Sequence, residues 1–194
     1  MIYILAAVAA VLAVWGLLIY IRKTMWDAVH RSLLDLEDAY EGTVVRRSFA
    51  ARPVFSGRIN NRALTVNFST EKQSGRRLTY IDISLDQGSK VSCTISNKDW
   101  LDSQNPDKIE DFISIENKDG HEFIVRPASQ KAVKNMIKQE AFQEVINDLQ
   151  GLAYIFTGRS GIICELVTED VVKAAAFENM EKNLQILQRF SGVL

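Results

Sequence analysis

The sequence predicts an α+β protein: an N-terminal transmembrane helix and stalk, then a mostly antiparallel β-sheet packed by two C-terminal helices. Three observations predict it. Residues 2–21 carry no charge, apolar residues alternate with a period of two between 44 and 126, and the period becomes 3.6 after Pro127. The predicted domains are a transmembrane helix over 1–21, an amphipathic juxtamembrane helix over 22–42 and a soluble α+β domain over 43–194.

Composition excludes several classes of protein. In a chain of 194 residues, a hydrophobic fraction of 47% and a net charge of −1 exclude a disordered protein. Two cysteines exclude a disulfide scaffold and a four-cysteine zinc site. The residues outside the first apolar run are numerous enough to bury a core of their own.

The apolar run Ile2–Ile21 has the length of a membrane span. Twenty helical residues cover about 30 Å, the thickness of the hydrocarbon core of a bilayer. A cleaved signal peptide is the alternative, but it requires positive charge before the run, whereas Arg22 and Lys23 follow it. We therefore expect a retained span. The positive-inside rule places the N-terminus outside and the C-terminal domain in the cytoplasm, as a single-pass protein of the inner membrane.

Small residues recur along one side of this span, at spacings of three, four and three. They form a stripe where a second helix can approach closely, as an integral-membrane partner would. Because alanine is common in membrane spans, a stripe without function is the alternative interpretation. The predicted helix-packing residues are Ala6, Ala9, Ala13 and Gly16.

An amphipathic helix is predicted to continue beyond the membrane. Its apolar residues alternate at spacings of three and four, with charged residues on the other faces, and Gly42 is the expected end. The apolar stripe can pack on the chain's own domain or on a partner protein, and the pattern leaves both open. The stripe consists of Trp26, Val29, Leu33, Leu36 and Tyr40.

The period of two predicts about six strands between 44 and 126. Asn60-Asn61 and Lys118-Asp119-Gly120 supply turn residues that tolerate a positive φ. Short polar connections favour an antiparallel sheet with one face covered. The predicted strands are 54–59, 62–68, 79–85, 90–96, 112–116 and 121–126.

Two helices are predicted after Pro127, separated by a pair of strands over 152–157 and 162–167. The first covers roughly 129–150, with Val133, Met136, Ile137, Ala141, Val145 and Leu149 facing inward. The second begins near Glu169 with Thr168 as N-cap. Its inward residues are Val172, Ala176, Met180, Leu184, Leu187 and Phe190.

The sequence shows no pattern for chemistry, so we expect no catalytic, metal or cofactor-binding residues. His30 and His121 have no cysteine or carboxylate at ligand spacing beside them. Cys93 and Cys164 lie in apolar surroundings that favour buried, inert thiols. No nucleophile elbow or phosphate-binding loop occurs. The expectation is therefore a protein that is not an enzyme and has no cofactor.

Charge is sorted into blocks. Residues 46–77 carry Lys72 and seven arginines against Glu71, a net charge of +7, whereas residues 78–125 carry −6. The basic block can face anionic lipid headgroups or a protein, or the two blocks can neutralise each other within one domain. Nucleic acid is not expected, because the aromatic residues of a stacking platform are missing. The arginines are Arg46, Arg47, Arg52, Arg58, Arg62, Arg76 and Arg77.

The C-terminal half resembles a known group of proteins. The runs Asp111-Phe112-Ile113 and Glu122-Phe123-Ile124-Val125, the helix over 128–150, a two-strand stretch and a closing amphipathic helix are similar to bacterial membrane-anchored families of unknown function. The resemblance covers about 110–190 and implies an inner-membrane location in bacteria and no activity. It assigns no site residues.

Two hypotheses of function follow. The first is a non-catalytic accessory or assembly subunit of a larger bacterial inner-membrane complex, and the small-residue stripe favours it. The second is a membrane-tethered cytoplasmic domain that binds a ligand or acts as a sensor, which requires a pocket with convergent polar groups.

Overall fold

The computed structural model describes residues 2–73, 76–104, 110–192 and 194, so Met1 of the predicted span lies outside the described residues. Within them the chain forms a nine-stranded sheet and six helices. The strands are β1 (Thr43–Val45), β2 (Val54–Ile59), β3 (Arg62–Gln73), β4 (Arg76–Leu85), β5 (Cys93–Asn97), β6 (Ile113–Glu116), β7 (Glu122–Arg126), β8 (Leu152–Gly158) and β9 (Gly161–Thr168). The helices are α1 (Ile2–Ala39), α2 (Lys98–Ser103), α3 (Lys131–Met136), α4 (Glu140–Asp148), α5 (Val171–Ala174) and α6 (Phe177–Ser191).

Neighbouring strands of the sheet are antiparallel throughout. The strand order is β1-β2-β3-β4-β9-β8-β5-β7-β6, so the C-terminal strand pair lies in the middle of the sheet. Both predicted turns are confirmed: Asn60 and Asn61 have φ of +50° and +64° between β2 and β3, and Gly120 has φ of +82° between β6 and β7. The predicted α+β fold class is confirmed.

One face of the sheet carries the core. The second half of α1, together with α4 and α6, contributes buried side chains to it. Because side chains alternate along a strand, Ile81 and Ile83 of β4 point into this core, whereas Asp82 between them points to the opposite face. Helices α1, α4 and α6 therefore cover one face of the sheet.

Helix α1 belongs both to the predicted span and to this core. Trp26, Val29, Leu33 and Leu36 are buried within their own domain, and the Trp26 ring meets Phe68 of β3 edge-on at 5.6 Å. The stripe therefore packs on its own domain, and its interpretation as a partner-docking surface is corrected. Since the core includes these residues, the predicted boundary at residue 42 does not separate two structural units.

The end of α1 meets β2 through a close backbone approach at Gly42. A Cβ there would lie 2.4 Å from the Phe55 ring, so a larger residue would displace this buried aromatic. The Arg58 N–H donates to the Tyr40 carbonyl at 2.7 Å, next to this contact. The left-handed residue that ends the helix is Glu41, with φ of +46°, and not the expected Gly42.

The helix predicted over 129–150 is broken between α3 and α4. Gln139 is extended, with ψ of 144°, and restarts the helix. The break rotates the second half, so that Phe142 is fully buried while Ala141 is only partly buried. The prediction of Ala141 as a core position is wrong. Burial of the larger Phe142 side chain contributes more free energy than burial of Ala141 would.

The closing helix is likewise divided. Asp170, and not Thr168, is the N-cap of α5, because its carboxylate accepts from Lys173 N–H. Extended Ala176 then separates α5 from α6. Val171 is buried in place of the predicted Val172, whereas the four inward positions predicted farther along α6 are confirmed: Met180, Leu184, Leu187 and Phe190.

Adjacent leucines on α1 test this packing. Leu33 is fully buried and Leu34 is 40% exposed on the other side of the helix. Leu33→Ala should lower the free energy of unfolding by about 2–5 kcal/mol, because it leaves a cavity. Leu34→Ala should change it by less than about 0.5 kcal/mol. Chemical unfolding of the full chain in detergent measures both, and equal effects would contradict the packing described.

Candidate functional site

Helix α1 brings one end of the sheet close to the end of the predicted span. Trp26, the first buried residue of α1, lies five positions after Ile21, which is about 8 Å along a helix. The contact of Trp26 with Phe68 places the second half of β3 and the start of β4 at the level where the predicted span ends. We call this region, with the 46–53 loop, the membrane-proximal end.

The 46–53 loop is tied to α1 by one arginine. Arg46 donates to Asp27 Oδ1 at 2.5 Å, to the Ala51 carbonyl at 2.8 Å and to the Phe49 carbonyl. Lys23 also donates to Asp27, at 2.5 Å, and these two hydrogen bonds lower the pKa of the Asp27 carboxyl. The side chain of Phe49 is left 61% exposed in this loop.

Arg52 of this loop lies within electrostatic reach of two further arginines, Arg22 of α1 and Arg77 of β4. Arg52 donates to the Phe68 carbonyl at 3.3 Å, while its Nε is buried without a partner among the described residues. Burial lowers the pKa of the Arg52 guanidinium, and the positive charges of Arg22 and Arg77 lower it further, opposed by Asp82. With three positive charges and one opposing carboxylate, the cluster is a candidate anion site.

The structure divides the predicted basic surface. Arg46, Arg47, Arg52, Arg76 and Arg77 lie at the membrane-proximal end, whereas Arg58 and Arg62 flank the β2–β3 turn. From Arg62 to Lys72, β3 rises about 33 Å. The seven arginines therefore form two separate groups at opposite ends of the sheet.

The small-residue stripe lies on the part of α1 that the domain leaves uncovered. The apolar 18-residue window of this helix is 0% buried. A Cβ added at Gly16 would meet nothing within 4 Å in the described chain. Ala6, Ala9, Ala13 and Gly16 are thus open to contact with another helix.

A pair of carboxyl groups that the sequence pattern does not reveal lies on the sheet face opposite to α1, α4 and α6. Asp82 of β4 is directly opposite Glu165 of β9, which in turn is opposite Tyr154 of β8. Burial, the charge of Asp82 and a hydrogen bond with it raise the pKa of Glu165 to about 7. Since the two residues are 83 positions apart along the chain, only the strand order could reveal the pair.

Helix α2 lies near this pair. Trp100 stacks on Tyr154 at 5.5 Å between ring centroids, with 16° between the ring planes. A surface cleft of about 890 Å³ opens beside Trp100, between the β6–β7 turn and the end of α4. Its lining combines charged and polar side chains, among them Arg76, Asp99, His121 and Glu169, with apolar ones such as Leu78 and Phe123.

The histidines and cysteines lie apart from one another. Cys93 and Cys164 are buried, and burial raises the pKa of both thiols. His121 is exposed at the β6–β7 turn. In the part of the chain that the structure describes, no three histidine, cysteine, aspartate or glutamate side chains are grouped as metal ligands would be.

Comparison with known proteins gives a fold likeness. No protein-family model and no curated protein matches the chain. The crystal structure of the mycobacterial trehalose monomycolate transport factor A, TtfA, is similar, with a TM-score of 0.51 and 10% sequence identity. The match covers 86% of this chain and 94% of that chain. It shows that the two proteins share the α+β fold, and the long apolar helix of this chain fits a single-pass membrane anchor.

The carboxyl pair predicts a pH dependence of stability. Because the folded-state pKa of Glu165 is raised from its ordinary 4.5 to about 7, the folded protein holds a proton that the unfolded chain releases. Stability should therefore fall as the pH rises from 4.5 to 7 and stay low above 7. Glu165→Gln should flatten this decline and stabilise the protein above pH 7.

Chemical unfolding across this pH range measures the effect. Glu178→Gln, at an exposed position on α6, is the control for replacing a glutamate. A Glu165→Gln variant with the same decline as the parent would show that the pair does not share a proton.

Proposed function

We propose that the chain is a non-catalytic accessory or assembly subunit of a larger bacterial inner-membrane complex. The observation that carries the proposal is the continuity of α1: one helix of 38 residues holds both the uncovered apolar run and the buried stripe of the core. Because no flexible linker separates them, a partner that holds the span also fixes the position of the sheet. This suits a subunit that places a domain beside a complex.

The uncovered stripe supports a partner within the membrane. Helices in lipid associate mainly through close packing, and small residues let two backbones approach. Ala6, Ala9, Ala13 and Gly16 offer such a surface along three turns. The neighbour that shares the fold is described as a transport factor, which is consistent with an auxiliary role.

The proposed orientation places the N-terminus outside and the domain in the cytoplasm. Arg22, Lys23 and Arg31 all follow the span, and Arg46 and Arg47 come soon after them. The basic membrane-proximal end then faces the inner leaflet.

A membrane-tethered ligand-binding or sensor domain is the second candidate. The cleft beside Trp100 favours it, since aromatic and charged side chains converge there. Such a domain would work without a partner in the membrane, so the behaviour of the purified chain separates the two candidates.

Protease accessibility tests the orientation. In sealed inverted membrane vesicles, whose cytoplasmic face is outside, protease should digest the domain after the span. In right-side-out vesicles the domain should be protected. The reverse pattern would overturn the proposed topology, and detergent-opened vesicles provide the control for intrinsic sensitivity to protease.

Substitutions in the span test the accessory role. The chain purified in mild detergent should co-migrate with a specific integral-membrane protein. Ala9→Leu or Gly16→Leu should weaken this association by about 1–3 kcal/mol, because a bulky side chain overfills a close helix contact.

Ala7→Leu, on the other side of the same helix, is the matched control and should leave the association unchanged. Unfolding measurements should show that the domain is equally stable in all three variants. A chain that migrates alone in several mild detergents, with no effect of these substitutions, would favour the tethered sensor.

A further inference from the structure

We propose that the membrane-proximal end binds the headgroups of anionic phospholipids in the bilayer that holds α1, through the guanidinium groups of Arg22, Arg52 and Arg77, with Phe49 inserted between the lipids. The inference rests on the proposed insertion of α1 into the membrane but not on the accessory role.

Position is set by the helix. Arg22 directly follows the uncharged run, and Trp26 is buried about 8 Å beyond Ile21. The polar headgroup region of a bilayer extends about 5–8 Å on each side of the hydrocarbon core. Because α1 is packed into the core from Trp26 onward, the domain cannot move away from this level without unpacking its own helix.

Charge at this end matches an anionic surface. The positive charges of Arg22 and Arg77 both act on Arg52, and Asp82 is the carboxylate that opposes them there. The buried Nε of Arg52 has no acceptor among the described residues. A phosphate oxygen is a strong acceptor for the N–H groups of a guanidinium that stay accessible, and a planar fork of donors fits it well.

The acidic residues nearby do not cancel this charge. Residues 22–27, 46–53, 71–77 and 168–169 together carry eight basic and three acidic residues, and Asp82 farther along β4 is a fourth acidic residue. Asp27 is paired with Lys23 and Arg46, and Glu169 with Arg76. The third, Glu71, is exposed on β3.

The 46–53 loop adds an apolar group to the same end. Arg46, whose side chain is only 11% exposed, fixes the loop to α1 through Asp27. Phe49 is held by its carbonyl while its ring stays exposed. An aromatic side chain at the level of the headgroups is favoured at the membrane interface, so basic and apolar contacts act together.

The experiment uses the full chain in lipid nanodiscs. Phe49→Cys carries an environment-sensitive dye, and the native Cys93 and Cys164 are buried and so protected from labelling. Ala63→Cys, an exposed position at the far end of β3, carries the control dye. Discs are made either of phosphatidylcholine or of phosphatidylcholine with phosphatidylglycerol.

We expect the dye at position 49 to report an apolar environment in discs with phosphatidylglycerol and to lose that signal at high salt, which screens the charges. The dye at position 63 should not respond. Arg52→Gln with Arg77→Gln should lower the ratio of docked to undocked domain about 25-fold, since each basic residue near such a surface contributes about fivefold. The matched pair Arg58→Gln with Arg62→Gln should leave it unchanged.

Several results would overturn the inference. These are an equal signal in both kinds of disc, an equal loss in the two arginine pairs, or the same signal from soluble glycerol phosphate added to neutral discs. If the Arg52 and Arg77 variant does not fold, the comparison of lipids in the parent chain still decides. A chain that does not co-elute with the discs would overturn membrane insertion as well, whereas co-elution without a lipid-dependent signal would overturn this inference alone.

Discussion

The burial of the second half of α1 is the interaction on which the rest of the structure depends. Trp26, Val29, Leu33 and Leu36 are as much a part of the core as the strands they cover. An anchor joined by a flexible linker would leave the domain free to rotate and to leave the surface. Here the anchor is a core element, so the sheet has one preferred end toward the membrane and one away from it.

Because of this constraint, arginines at the two ends of the sheet lie at different distances from the predicted span. Arg52 and Arg77 lie where α1 emerges, next to Arg22, and their charges add to one another. Arg58 and Arg62 have the same chemistry but lie at the turn that points away. In the sequence, both groups of arginines fall within the single basic block of residues 46–77. The antiparallel pair β3–β4 separates them, because β3 begins with Arg62 at one end of the sheet and β4 begins with Arg76 at the other.

Local periodicity was sufficient to predict most elements but not their partners. The strand over 54–59 was predicted with the bounds it has, because alternating side chains and a turn pair are local signals. The breaks before α4 and α6 were missed, because the core that buries Phe142 and Met180 is assembled from elements far apart along the chain. The Asp82–Glu165 pair was missed for the same reason, because strand order is a property of the whole sheet. The sequence left two alternatives for the stripe on α1, and only the folded chain shows that its own sheet covers it.

The position of β9 in the middle of the sheet has a consequence for biosynthesis. Helix α1 leaves the ribosome first, and strands β1–β4 follow as successive neighbours that can pair as soon as they emerge. The outer edge of β4 then remains unpaired until residues 161–168 have been made. An open strand edge readily pairs with another chain. A nascent chain that stops before β9 is therefore an aggregation hazard held by its apolar helix, and synthesis of β9 closes that edge.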